Sequence, residues 1–153
     1  HKQRRMLQAA ERDLQMTPTE QIYSQALENW DNYQYVGQLW LGSHQQQMKF
    51  IFDTGSAWTW VPNSDCTGCP GNHYNYALSA DYYQSQYTKK IFYGVGSVKG
   101  YVVNDDITIA PPETGANAMA HNVNFISVYE SEDLFGLMSD GLLGLSPRKA
   151  NSG

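Results

Sequence analysis

At 153 residues, 41% apolar and 16% charged, the chain is long enough to bury one ordinary core and too apolar for a disordered tail. An aromatic share of 13%, with 11 Tyr and 4 Trp, favours strands over a helical bundle. The net charge of −5 divides into a basic start (Lys2, Arg4, Arg5 and Arg12 against Glu11, a balance of +3) and a remainder of −8; that is too thin a footprint for nucleic acid, and no apolar run is long enough to span a membrane.

The opening "HKQRRMLQAAERDLQ" lacks an initiating Met and a signal-peptide pattern. It reads as the start of a processed or cropped piece, which says nothing against secretion. Residues 1–28 form a weak helix or irregular arm, since the helix formers run into Thr17-Pro18-Thr19. From Tyr33 the pattern turns to strands. "YVGQLWLGS" and "QQQMKFIFD" are two of them, with a hairpin turn at Gly42-Ser43-His44. "WTWVP" is a third, ended by Pro62. Residues 63–88 are polar and rich in Tyr, Ser and Asn, and read mostly as loop. "KKIFYGVGSVKGYVVNDDITIA" supplies two or three strands, Pro111-Pro112 to Gly115 a turn, and "VNFISVYE" another strand, before "LFGLMSDGLLGLSP". The expected class is all-β, a barrel or sandwich with little helix.

The two cysteines stand in "DCTGCPG", residues 65–71. Cys66-x-x-Cys69 fits a small disulfide loop, a redox pair at a helix start, or half a zinc site. No second Cys pair is present, and His1, His44, His73 and His121 lie far apart, which disfavours a metal. Pro70-Gly71-Asn72 predicts a loop where a redox pair wants a helix. A disulfide is the favoured reading, and with it an oxidising compartment.

The stretch "FIFDTGSAWTWVP", residues 50–62, places Asp53 at the end of an apolar strand. Gly55 lets the backbone wrap around the carboxylate, and Thr54 and Ser56 supply hydroxyls to orient it. A carboxylate so held can act as base, nucleophile or metal ligand. Alone it attracts protons weakly. Beside a second carboxylate it shares a proton, so that one group activates water while the other donates to a carbonyl.

Several segments carry a resemblance. "IFDTGSAWTWVP" resembles the first active-site loop of pepsin-like aspartic proteases. "IFYGVGSVKG" (91–100) resembles their flap hairpin, "DGLLGLSP" (140–147) the segment packed behind the catalytic loop, and "LENWDNYQYVGQLWLG" (27–42) the entry strand. "DCTGC" falls where that family has a small disulfide loop, Cys66–Cys69. The resemblance covers roughly residues 27–150. It implies one lobe of a bilobal fold, an N-terminal lobe over 29–153, with a C-terminal lobe absent from this stretch; the arm over 1–28 fits a prosegment remnant by its charge, though its sequence does not match one closely. It implies Asp53 as one catalytic aspartate, supported by Thr54, Gly55 and Ser56. Tyr93, Gly94, Val95, Gly96 and Ser97 would form the flap over the substrate, and Trp60 would partner the Tyr93 hydroxyl. Leu142, Leu143 and Gly144 would plug the space beneath Asp53. No cofactor or metal is implied, the substrate is a peptide or protein, and the setting is secreted or lysosomal/vacuolar.

Departures from the family pattern matter too. One Asp-Thr-Gly stands here where the bilobal enzymes have two, so this chain supplies half a dyad and is expected to be inactive alone. Asp140-Gly141 lacks the hydroxyl residue and reads as structural. Val95 stands where relatives often carry a hydroxyl, and Trp58 reads as core packing. The alternatives are an inactive homologue that binds peptide or protein in its cleft, a dimerising retroviral-type protease, and a stand-alone lobe. The basic arm fits a zymogen prosegment released when carboxylates protonate.

Overall fold

A computed structural model describes residues 24–94, 96–111, 113, 118–134 and 136–147. The first 23 residues, which hold the basic arm, lie outside this set, as does Val95. Among the described residues the elements include β1 (Glu28–Trp30), β2 (Gln34–Leu41), β3 (Gln46–Asp53), β4 (Trp60–Thr67), a 3-10 turn (Tyr76–Leu78), β5 (Tyr83–Tyr93), β6 (Gly96–Thr108), β7 (Met119–Glu132) and β8 (Gly141–Gly144).

Alternation builds the first long hairpin. In β3, Met48 and Phe50 point inward at 4% and 0% exposure while Gln47 and Lys49 face solvent; in β2, Leu39 and Leu41 are wholly buried. Each such burial contributes roughly 1.5–3 kcal/mol. Gly42 and Gln45, both at positive φ, close the turn, with Gln45 N–H donating to Gly42 O at 3.0 Å.

The sheet order is β1-β2-β3-β8-β4-β7-β6-β5. A further antiparallel pairing of Trp40–Leu41 with Thr108 and Ile107 joins β2 to β6. It closes six strands into a ring and leaves β1 and β5 outside it. One core cluster gathers Leu39, Leu41, Met48, Phe50, Val61, Tyr74, Val103, Ile107 and Phe125. A second gathers Trp60, Val98, Ile126, Val128 and Leu142. The all-β class is therefore as the sequence predicts.

Three boundaries differ from the sequence reading. Pro62 does not end its strand: β4 continues to Thr67, with Pro62 opposite Val128 of the parallel strand β7. The Pro62 carbonyl accepts from Tyr74 N–H, on the edge facing away from β7. Its missing N–H would have pointed the same way, so the β7 ladder loses nothing. Residues 63–88 are not mainly loop, because they hold the end of β4, the 3-10 turn and the start of β5. Finally, β1 and β2 form a hairpin the sequence reading missed, its turn made by Asp31 and Asn32 at φ 52° and 59°. Tyr33 N–H donates to Trp30 O at 3.0 Å, the geometry of a type I′ turn, which Asp and Asn tolerate.

Candidate active site

Strand β3 delivers Asp53 to the rim of the ring, and β8 holds it there. The two strands run parallel, with Phe52 opposite Leu143 and Asp53 opposite Gly144. Leu145 N–H donates to Asp53 O and Ser146 N–H to Ser56 O, each at 2.9 Å, so the loop is tied down at both ends. Gly144 is required by closeness. A Cβ there would stand 2.7 Å from Trp58 O and 2.8 Å from Ser56 O, both backbone atoms. Thr59 Oγ1 accepts from Gly144 N–H at 3.2 Å and completes the clasp.

The Asp53 side chain is half-buried and held by its own loop. Gly55 N–H donates to Oδ1 at 2.9 Å, and Ser56 Oγ–H donates to Oδ2. Thr54 is exposed at the loop tip. One backbone and one hydroxyl donor thus fix the plane of the carboxylate.

The hairpin of β5 and β6 stands over this loop. Tyr93 pairs with Gly96 across its tip. A Cβ on Gly96 would collide with the carbonyls of Glu132 and Asp133, so the flap beside its tip passes flush against the end of β7. Gly94 is exposed with open space around it. Ser97 is buried at 6% exposure, paired with Phe92 of β5 and Glu132 of β7. Trp60 Nε1–H donates to Tyr93 Oη at 2.5 Å, with the rings tilted at 53°. Burial raises the Tyr93 hydroxyl above its ordinary pKa of 10.0, the Asp53 charge adds to this, and the Trp60 N–H opposes it.

Two hollows flank Tyr93. One, of about 430 Å³, lies between loop residues 55–58 and flap residues 91–94. The other, of about 210 Å³, is mainly apolar and is lined by Trp60, Tyr93, Leu134, Leu137, Leu142 and Gln34. Gln34 anchors the latter's rim, donating to Gly136 O and accepting from Met138 N–H, each at 3.0 Å.

Asp140 has a structural place. It is 5% exposed and accepts from Lys49 N–H at 2.8 Å and Asn72 N–H at 2.7 Å. Its neighbour Gly141 pairs with Phe50, about three residues or 10 Å back along the sheet from Asp53. Cys66 and Cys69 form a disulfide, so neither is a free thiolate or metal ligand. Trp58 does more than pack in the core: it joins the second cluster from the cleft side, with the Lys89 ammonium 4.6 Å from its ring centroid. Lys89, Gln34, Leu134 and Leu137 were missed in the sequence reading. For Lys89 a signal existed, since strand alternation gives it the same face as Ile91 and Tyr93.

An all-β ring with a clamped Asp-Thr-Gly-Ser loop beneath a tyrosine flap defines a lobe of the aspartic protease type. The family model for eukaryotic aspartyl protease matches residues 34–153, and the chain belongs to that family. It is similar to plasmepsin IV of Plasmodium falciparum (isolate 3D7), 36% identical over 126 residues, covering 78% of this chain and 26% of that protein. It is also similar to phytepsin of Hordeum vulgare, 31% identical over 84% of this chain and 25% of that protein. Chymosin of Callithrix jacchus is 29% identical over 82% of this chain and 33% of its own length. The chain thus spans a quarter to a third of these curated relatives.

Proposed function

We propose that residues 29–153 are the N-terminal lobe of an aspartic endopeptidase, with Asp53 as one of two catalytic carboxylates. The observation that carries this reading is the Asp53 carboxylate itself. It is held at both oxygens by Gly55 and Ser56, half-buried below Tyr93, with hollows on either side for a peptide. The second carboxylate comes from a C-terminal lobe. With one proton shared between the two, the ionised group takes a proton from water as the oxygen attacks the peptide carbonyl, and the protonated group donates to the carbonyl oxygen. Tyr93 closes over the bound peptide and limits access of bulk water.

Similarity to plasmepsin IV, phytepsin and chymosin supports a peptide substrate. The Cys66–Cys69 disulfide supports an oxidising setting, secreted or lysosomal/vacuolar. The basic residues Lys2, Arg4, Arg5 and Arg12 suit a prosegment that covers an acidic cleft. The experiment is an acid-pH peptidase assay of the full-length protein, with and without a statine-type peptide inhibitor. Inhibition, together with loss of about a thousandfold or more in kcat for Asp53→Asn, is expected. Unchanged turnover in Asp53→Asn removes Asp53 from the chemistry, and a full-length protein that binds the inhibitor without cleaving any peptide is a binding homologue.

A further inference from the structure

The last residues of β7 stand between two loops that are remote in sequence. In the run β4-β7-β6-β5 of the sheet, β7 has β4 on one edge and the flap strands on the other. The β4 edge is irregular. Pro62 pairs with Val128 and Thr67 with Glu130, so the ladder is interrupted over the stretch that holds Cys66. Past Thr67 the chain enters the loop closed by the Cys66–Cys69 disulfide. There a side chain continues what the ladder began. Ser131, 8% exposed, donates its hydroxyl to Gly68 O at 2.8 Å. Its own carbonyl lies against Gly68, where a Cβ would come within 2.7 Å.

The opposite edge of the same residues carries the flap. Glu130, Ser131 and Glu132 pair with Lys99, Val98 and Ser97 of β6. Gly96, next along β6 and the partner of Tyr93, runs against the carbonyls of Glu132 and Asp133. The end of β7 is therefore a spacer, with a covalently closed loop on one side and the flap on the other. Cys66 and Cys69 also pack against the second core cluster, as Tyr93 does. A strand end held on one edge frays readily; held on both, it fixes the height of the hairpin beside it. We propose that Ser131 is a positioning residue that uses the Cys66–Cys69 loop as a fixed support to hold the flap over Asp53. The proposal rests on the peptidase reading and adds a residue to it. Gly68 is exposed, so its carbonyl turns to water when the hydroxyl is removed, and overall stability changes little.

The test is amide hydrogen exchange of the full-length protein, read without substrate, beside peptidase kinetics. Ser131→Ala is expected to speed exchange over residues 91–98 about fivefold, the size of one hydrogen bond, and to leave β3 and residues 53–58 at the parent rate. KM should rise by a similar factor while kcat stays within about twofold. Ser131→Thr, which keeps the hydroxyl, should restore both. Replacing Cys66 and Cys69 together by Ala should speed the same residues, and adding Ser131→Ala to that variant should speed them no further, since both changes remove one support. Unchanged flap exchange in Ser131→Ala overturns the proposal. So does a rise shared equally by β3, which marks general destabilisation, and so do additive effects of the serine and cysteine changes. Exchange also separates the two readings. Cleavage by the parent with flap exchange unmoved in Ser131→Ala overturns the support alone. A flap loosened by Ser131→Ala in a protein that cleaves no peptide overturns the peptidase reading alone. Neither effect overturns both.

Discussion

The indole N–H of Trp60 ends on the phenol oxygen of Tyr93, a 2.5 Å bond between strand β4 and the flap. Trp60 is 2% exposed and belongs to the rigid core, whereas Tyr93 sits beside the flap tip. The bond therefore ties the position of a mobile type of element to a fixed one. Trp60→Phe and Tyr93→Phe should each lower kcat/KM by about tenfold, near the 1.4 kcal/mol of one good hydrogen bond, and the double variant should be little worse than either. Additive losses in this double-mutant cycle would show that the two side chains act separately.

Ser56 should matter to catalysis more than to folding. Its hydroxyl holds Asp53 Oδ2, and its backbone is fixed independently by Ser146 N–H. Ser56→Ala is expected to lower kcat of the full-length protein by about tenfold while thermal stability moves by less than about 1 kcal/mol, and Ser56→Thr should restore part of the loss.

Gly144→Ala should do the reverse and destabilise first. The new methyl would press on the backbone carbonyls of Trp58 and Ser56, which have no rotamer by which to yield. A loss of about 1–3 kcal/mol is expected in urea unfolding, accompanied by lower activity because the Asp53 loop is displaced. A variant as stable as the parent would mean that β8 does not press on the loop.

Alkaline stability follows from one buried phenol, Tyr74, and one half-buried phenol, Tyr93. Burial is the leading cause that raises both Tyr74 and Tyr93 above 10.0, with the Asp105 carboxylate adding to the effect on Tyr74, whose hydroxyl it accepts from. Below pH 10 both phenols are neutral whether the chain is folded or unfolded, and their stabilising bonds are fully present. Above it the unfolded chain releases these protons while the folded chain retains them, so stability falls as pH rises toward the higher folded values. Urea midpoints should therefore drop between about pH 9 and about pH 11, and Tyr74→Phe should flatten that slope while lowering stability at neutral pH by about 1–3 kcal/mol.

Much of the site was legible because its parts are local. Asp53, Gly55 and Ser56 are three residues apart, and the flap is a hairpin with its turn written at Gly94 and Gly96. The role of β8 was legible through resemblance only, since a parallel pairing between Asp53 and Gly144 leaves no local trace. The β1–β2 hairpin was missed because Asp31-Asn32 lacks the glycine that usually marks a type I′ turn. Pro62 misled because its tolerance depends on which edge of β4 faces β7, a tertiary fact. Lys89 lies in a segment correctly read as strand, and its alternation with Ile91 and Tyr93 puts it on their face; its place over Trp58 is a tertiary fact.

The clasp of Leu145 on Asp53 has a bearing on synthesis. On the ribosome, the Asp-Thr-Gly-Ser stretch emerges well before β8, so the nascent chain carries that loop unclasped until the segment ending at Ser146 has cleared the exit tunnel. Until then the Asp53 and Ser56 carbonyls lack the donors that later fix them, and the loop waits on a strand made about ninety residues after it.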